Sequence, residues 1–317
     1  MNTGAFIIPT GIGASIGGYA GDASKYARKF AKKCKLIVNP NVVNAACFSG
    51  ITDNMLYVEG FTVDRFFQGK CSLKESNNNK IGVIFDKSIS QRVLNIHINT
   101  INAVKTVYDI DIVEYCVTDD EVGVEFFIDN SGISSGNVKN LDTLKKSAEH
   151  LINLGCNAIA IVCSFPEDIG NDDYANGMGV DPVGGVEAII SHYISKEFSV
   201  PCAHAPAFED YTIDSKIVDP RCAAEYITPT FLPCILLGLS QAPQILPYTD
   251  KNLTIDNIDF LIVPYSALGS IPTLEMQKRN KKIYAIKENN TILDITPEKF
   301  LITCDIINTY EELLELI

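Results

Sequence analysis

The sequence has 317 residues, 46% of them hydrophobic, enough to bury a sizeable core without a partner and more readily in two domains than in one. Its formal net charge of -13 excludes phosphate-backbone binding to nucleic acid, which needs clustered Lys and Arg. Ten cysteines with no C-x-x-C pair, mostly inside apolar runs, exclude a disulfide framework and a Cys/His zinc site, and they read as the usage of a reducing, cytoplasmic compartment.

Residues 6–8, Phe-Ile-Ile, predict a short buried strand that Pro9 and Thr10 end. Glycines follow at 11, 13, 17, 18 and 21, with Ser15 among them. A helix pattern starts near Asp22 and carries Tyr26, Ala27, Phe30 and Ala31 on one face. Strand, glycine turn and helix start make an anion site, because glycine lets main-chain N–H groups approach a ligand and the helix start adds positive charge. Thr10, Gly11, Gly13, Ser15, Gly17 and Gly18 are its candidate residues. The first twenty-one residues carry no charged side chain but lack a basic n-region, so they read as structure and not as a signal peptide.

Residues 35–38 predict a second strand, ended by Asn39-Pro40-Asn41. A dinucleotide site wants an acidic residue at Asn39, and the spacing G-x-G-x-x-x-G departs from the fingerprint, so a standard NAD site is not expected. Asn39 and Asn41 are instead candidates for holding substrate. Residues 56–68 read as a half-buried strand and turn, and 77–79 as a surface loop. Residues 81–85 predict a buried strand ending at Asp86, which either faces ligand or caps the helix expected over 90–107. A boundary near 115 divides the chain into units 1–115 and 116–317.

In the second unit, a strand over 122–128 precedes a Ser- and Gly-rich loop that reads as ligand-facing. An amphipathic helix over 141–154 ends at Gly155, and 158–162 is a buried strand with Cys163 and Ser164 at its carboxyl end. An acidic loop with Glu167, Asp168, Asp172 and Asp173 follows. Asp181, Gly184 and Gly185 lead into a helix over 186–196, and His204 ends a strand at 200–203. Prolines at 229, 233, 243 and 247 argue against a membrane span over 226–248. A strand at 260–263, a helix reaching 278 and a strand at 282–286 complete the alternation. The expected fold is α/β, two Rossmann-like units with mostly parallel sheets and a ligand cleft between them.

Five side chains carry the candidate chemistry. Cys163 stands where α/β sheets present functional groups, and a nearby helix start would favour its thiolate; as a small apolar residue it also suits a core. Cys47 offers a second thiol, since one acid and one base on opposite faces can move a carbon-bound proton. His204 is the best placed of four histidines for acid or base work. Asp181 either binds an ammonium, a hydroxyl or a cation, or starts a helix. Arg221, in Asp-Pro-Arg, is a carboxylate partner.

The segment G-C-N-A-I-A-I-V-C-S, followed by a helix and F-S-V-P-C-A-H, resembles the central unit of the aspartate/glutamate racemase superfamily over roughly 140–205. That resemblance implies two α/β halves, no cofactor, and a pair of cysteines that remove and return the proton α to a carboxylate, with Cys163 as one of them. Ser164 departs from the Asn-Thr usual after that cysteine, and no G-C-T cysteine stands near the tail. The pieces I-P-T-G-I-G-A-S-I-G-G-Y-A-G-D-A, G-V-D-P-V-G-G-V-E-A and L-G-S-I-P are similar, over nearly the whole chain, to a conserved domain family of unknown function. The expected activity is a cofactor-independent isomerase, racemase or lyase acting through a thiol on a small anionic carboxylate, with no metal, no nucleic acid and no membrane, and with homo-oligomerisation left open. Two alternatives stand beside it: Mg-dependent group transfer from a nucleotide or phosphate, with the acidic residues at 167–181 holding the ion, and ligand binding without chemistry.

Overall fold

The computed structural model describes residues 2–19, 21–166, 174–210, 213 and 215–317. The chain opens with β1 (Thr3–Phe6), α1 (Ser24–Ala31), β2 (Lys35–Val38), the single turn α2 (Pro40–Val43), the short hairpin of β3 (Asn44–Ala45) and β4 (Phe48–Ser49), and β5 (Met55–Tyr57). It continues through α3 (Gly60–Phe67), β6 (Cys71–Lys74), β7 (Ile81–Phe85), α4 (Gln91–Tyr108) and β8 (Ile112–Val117). The hairpin of β9 (Val124–Ile128) and β10 (Ser134–Val138) leads to α5 (Leu141–Asn153), β11 (Ala158–Ser164), α6 (Gly184–Phe198) and β12 (Cys202–Ala207). The remainder holds α7 (Ala223–Tyr226), α8 (Leu232–Ser240), β13 (Gln244–Pro247), β14 (Phe260–Pro264), α9 (Ile271–Lys278), β15 (Lys282–Ile286), α10 (Pro297–Phe300), β16 (Asp305–Ile307) and α11 (Tyr310–Leu316).

Two parallel sheets carry the fold, so the α/β class with mostly parallel strands is as expected. The larger has the order β16-β15-β14-β1-β2-β5, the smaller β12-β11-β7-β8. In the larger, the chain steps from β1 to β2 to β5, then returns to β14 on the other side of β1. That reversal opens a crevice outside the carboxyl ends of β1 and β14. The smaller sheet is inserted between β5 and β14. Sheet membership therefore does not divide at residue 115, which lies inside β8: the larger sheet takes strands from both ends of the chain and the smaller from its middle.

Helix α8 joins the two sheets. Its Leu232, Ile235, Leu236 and Leu239 share one buried core with Phe6, Val38 and Tyr57 of the larger sheet and Val83, Phe85 and Val162 of the smaller. A helix buried over most of its surface is apolar nearly all round, which accounts for the apolar run 232–239. Each such leucine contributes about 1.5–3 kcal/mol by leaving water.

The stretch 56–68 differs from expectation. It is strand β5 followed by helix α3, because the Glu59 carboxylate accepts the N–H groups of Phe61 (2.7 Å) and Thr62 (2.6 Å) and so caps a helix start. Asn79 is likewise no surface residue: it is buried and donates to Leu239 O and Ala242 O, both at 2.7 Å, at the end of α8. Asp86 is buried and neither caps α4, which Ser90 does, nor faces the cavity described below. Its carboxylate takes the N–H groups of Ser88 (3.1 Å), Val122 (3.0 Å) and Ser164 (3.4 Å).

Candidate functional site

A cavity of about 100 Å³, room for several waters, lies where the loop after β1 meets the start of α6 and the edge strand β12. The glycine loop forms one wall: Gly11, Gly13, Gly17, Gly18 and Gly21 all line it, with Thr10, Asn41 and Asn44. Ser15, Ile16 and Gly17 spend their N–H groups on Asn290 O, Asn289 Oδ1 and Asp22 Oδ1. The N–H groups of Gly11, Ile12, Gly13 and Ala14 take no acceptor among the described residues. These four residues line the cavity, so it borders donors that a ligand can use.

The loop is held from two sides. Ser134 N–H donates to Gly11 O (3.0 Å), while Ser134 Oγ accepts Gly185 N–H (3.0 Å) and donates to Pro182 O (2.9 Å). One serine thus ties the β1 loop to the first turn of α6. On the other side Gly21 has φ +66, and a Cβ there would sit on the Asn44 carbonyl, so only glycine fits. Arg221 braces the loop from behind: paired with Asp219 (Nε–Oδ1 3.0 Å), it donates to Ser15 O (3.4 Å) and lies 5.3 Å from the centre of the Tyr19 ring.

Part of the remaining lining is acidic. Asp181, Glu187 and Glu225 line the cavity with His204, and no Lys or Arg is among the described residues that do. Burial, then the neighbouring Asp181 and Glu225, push the Glu187 carboxyl well above the usual range. Burial also raises Asp181, against the N–H groups of Val183 and Gly184. Glu187 Oε1 and Asn44 Oδ1 are buried acceptors with no hydrogen-bond partner.

Burial, and secondarily His192, lower His204 to about 3, so the ring is neutral at pH 7. Its tautomer follows from its neighbours. Ser191 Oγ donates to Ala188 O (3.2 Å), so its lone pair accepts the Nδ1–H of His204 (2.9 Å). Nε2 is left as an acceptor, 3.8 Å from Glu187 Oε2.

The other sequence candidates divide. Asp181 and Gly184 line the cavity, and Asn41 lines it while donating to Pro9 O (3.1 Å). Ser15 serves the loop, accepting Asn290 N–H (3.0 Å). Asn39 is buried and clamps both polar groups of Ile8, with Ile8 N–H to Oδ1 at 3.0 Å and Nδ2 to Ile8 O at 2.7 Å. With Thr10, Ser134 and Gly185 it also borders a second cavity of about 470 Å³ in the crevice between β1 and β14. Ser164 lies off both cavities.

The thiols do not meet the ligand wall. Cys163 is 1% exposed, in a cluster with Val122, Leu144, Ile161 and Val186, and burial raises its pKa well above the ordinary value. β11 is an interior strand, covered on both flanks, whereas β12 is an edge strand; in register Ile161 stands beside His204. Cys47 is half-buried, accepts from Thr228 Oγ1 (3.0 Å) and lies off the cavity. The one thiol on the described lining is Cys234, which burial pushes up to about 12 and keeps as SH. The expected thiol mechanism therefore loses its geometry. Glu167, Asp168, Asp172 and Asp173 lie outside the described residues, and among the described residues no group of three His, Cys, Asp or Glu is arranged to hold a metal.

Residues 3–317 match the family described as "Protein of unknown function (DUF3326)". The chain belongs to that family. The whole-chain resemblance read from the glycine loop, the G-V-D-P-V-G-G-V-E-A segment and L-G-S-I-P is thereby borne out. A curated relative, an uncharacterized lipoprotein of Synechococcus sp. (strain ATCC 27144 / PCC 6301 / SAUG 1402/1), is 39% identical over 302 residues, covering 93% of this chain and 84% of the relative. That name overturns the cytoplasmic location expected for the DUF3326 chain. Cysteine usage reports what surrounds a folded thiol and is blind to a lipid anchor. No helix among the described residues is long and apolar enough to cross a membrane. No solved structure matches the chain.

Glu187, Glu225 and Ser134 were missed by sequence reasoning. Glu187 had a signal: it is the acidic residue in an otherwise apolar helix start, G-G-V-E-A-I-I. Ser134 sits in the loop read as ligand-facing, but nothing local marks it as the clasp.

Proposed function

We propose that the cavity binds a small anionic metabolite, its carboxylate held by the main-chain amides of Gly11–Ala14, and that His204 moves a carbon-bound proton of that ligand without a cofactor. The activity would be of isomerase, racemase or lyase type, with imidazole in the place first given to thiols. One observation carries the reading: residues whose amides have no acceptor among the described residues line the same small cavity as a neutral imidazole whose Nε2 is left as an acceptor. Amides stabilise negative charge on the carboxylate and on the enolate that forms when the proton leaves. Nε2 accepts that proton, and Ser191 holds the ring in the tautomer that makes this possible. The Glu187 carboxyl beside Nε2 sets how basic it is.

Deuterium exchange tests the proposal. Small molecules that co-purify with the protein are identified by mass spectrometry, then incubated with it in D₂O. Deuterium wash-in at carbon with wild type and its loss in His204→Asn supports proton transfer. Tight binding with no exchange by wild type leaves a binding protein and removes the enzyme.

A further inference from the structure

We propose that the ligand of this cavity carries an ammonium beside its carboxylate, so that the site is built for a small zwitterionic amino acid. The inference rests on the anion-binding reading above and deepens it. Two chemically opposite sets of groups line it: amides with no acceptor among the described residues, and Asp181, Glu187 and Glu225, with no Lys or Arg among the described lining. Two buried oxygens on that lining, Glu187 Oε1 and Asn44 Oδ1, have no hydrogen-bond partner, and Glu187 is only 8% exposed. A buried acceptor left unmatched is costly, so the missing piece of this site is a donor. An ammonium presents three N–H donors and a positive charge. It can meet several acceptors without the fixed geometry a metal ion demands. A hydroxyl offers one donor and no positive charge.

The ammonium also links binding to the chemistry. The titratable groups around Glu187 are His204 on β12, Asp181 ahead of α6, Glu225 on α7, and the thiols of Cys163 on β11 and Cys234 on α8. None of them is cationic at neutral pH, and burial with the neighbouring Asp181 and Glu225 favours the protonated form of the resting Glu187. A bound ammonium favours its carboxylate, and the proton leaves to solvent. The new carboxylate, 3.8 Å from Nε2, raises the basicity of His204. The substrate's own amine thereby turns on the base.

The test uses matched acids on the full-length protein: alanine, lactate and propionate, and the longer set aspartate, malate and succinate, by calorimetry. The expected result is that the amino member of at least one set binds ~tenfold or more tightly than its hydroxy and unsubstituted partners. Its binding releases a proton, seen as a heat that depends on the buffer, and strengthens from pH 6 to pH 8. Glu187→Gln, checked for a native melt, removes that preference while the unsubstituted acids still bind. Where the variant does not fold, proton release by wild type decides alone. Equal binding of all three members, or amine binding without proton release, overturns the inference and leaves the anion site standing. Failure of every carboxylate to bind overturns both.

Discussion

Ser134→Ala removes one oxygen that joins the glycine loop to α6, and its cost can be worked from the structure. Ser134 is 4% exposed, and its Oγ accepts Gly185 N–H at 3.0 Å and donates to Pro182 O at 2.9 Å. Alanine keeps the Cβ and the main-chain bond to Gly11 O, so only these two bonds are lost. Each leaves a buried polar group unmatched, at ~1–3 kcal/mol, and the pair should cost about 2–4 kcal/mol. In a chain of this size 1 kcal/mol moves Tm by roughly 2 °C, so the variant should melt about 4–8 °C lower. The assay is a thermal melt beside Ser131→Ala, whose hydroxyl bonds only to Asp129 in the exposed hairpin turn and should change stability by less than ~0.5 kcal/mol. A Ser134→Ala melt within about 1 °C of wild type refutes the claim that this serine clasps the site together.

Three further outcomes follow from the same geometry. Gly21→Ala forces a Cβ onto the Asn44 carbonyl at φ +66 and should cost about 2–4 kcal/mol in urea unfolding; a cost below ~0.5 would mean that the loop relaxes freely. Cys163→Ala should lose about 1–2 kcal/mol from a buried site yet keep ligand binding, and a native melt with lost binding would restore the thiol mechanism. His204 should show no ring titration by NMR between pH 8 and pH 5, and a midpoint above 6 contradicts its burial. Its sign for stability is fixed by linkage. The unfolded ring takes a proton near 6.5 and the folded ring near 3, so stability falls as pH drops below about 6.5. Asp22 and Glu59, raised to about 7, act oppositely as pH climbs, so the measured quantity is the difference in Tm slope between wild type and His204→Asn: with rising pH the slope should be less positive in the variant.

Much of the scaffold could be read from local pattern. Strands β2, β7 and β15 fall on the residues expected, because each is an apolar run closed by polar or turn residues. Helix α4 differs from expectation by one residue at each end and α5 by one at its close, since Ser90 caps the first and Gly155, at φ 96, follows soon after the second. β12 runs past its expected end: Pro201 and the small residues after it give no clear stop, so the sequence puts His204 at the strand's close, whereas it lies inside the strand.

By itself the sequence determined most of the segments that become strands and helices, and that a glycine turn follows β1. Those features follow from hydrophobic period and from φ values that only glycine adopts cheaply, and both act within a few residues. Tertiary structure alone decided that β14 returns to flank β1, that β11 lies inside its sheet while β12 lies at the edge, and that Glu187 reaches the cavity where Cys163 does not. The physical reason is register across distant strands: one strand of difference in position separates a thiol closed in by aliphatic side chains from an imidazole on the cavity wall.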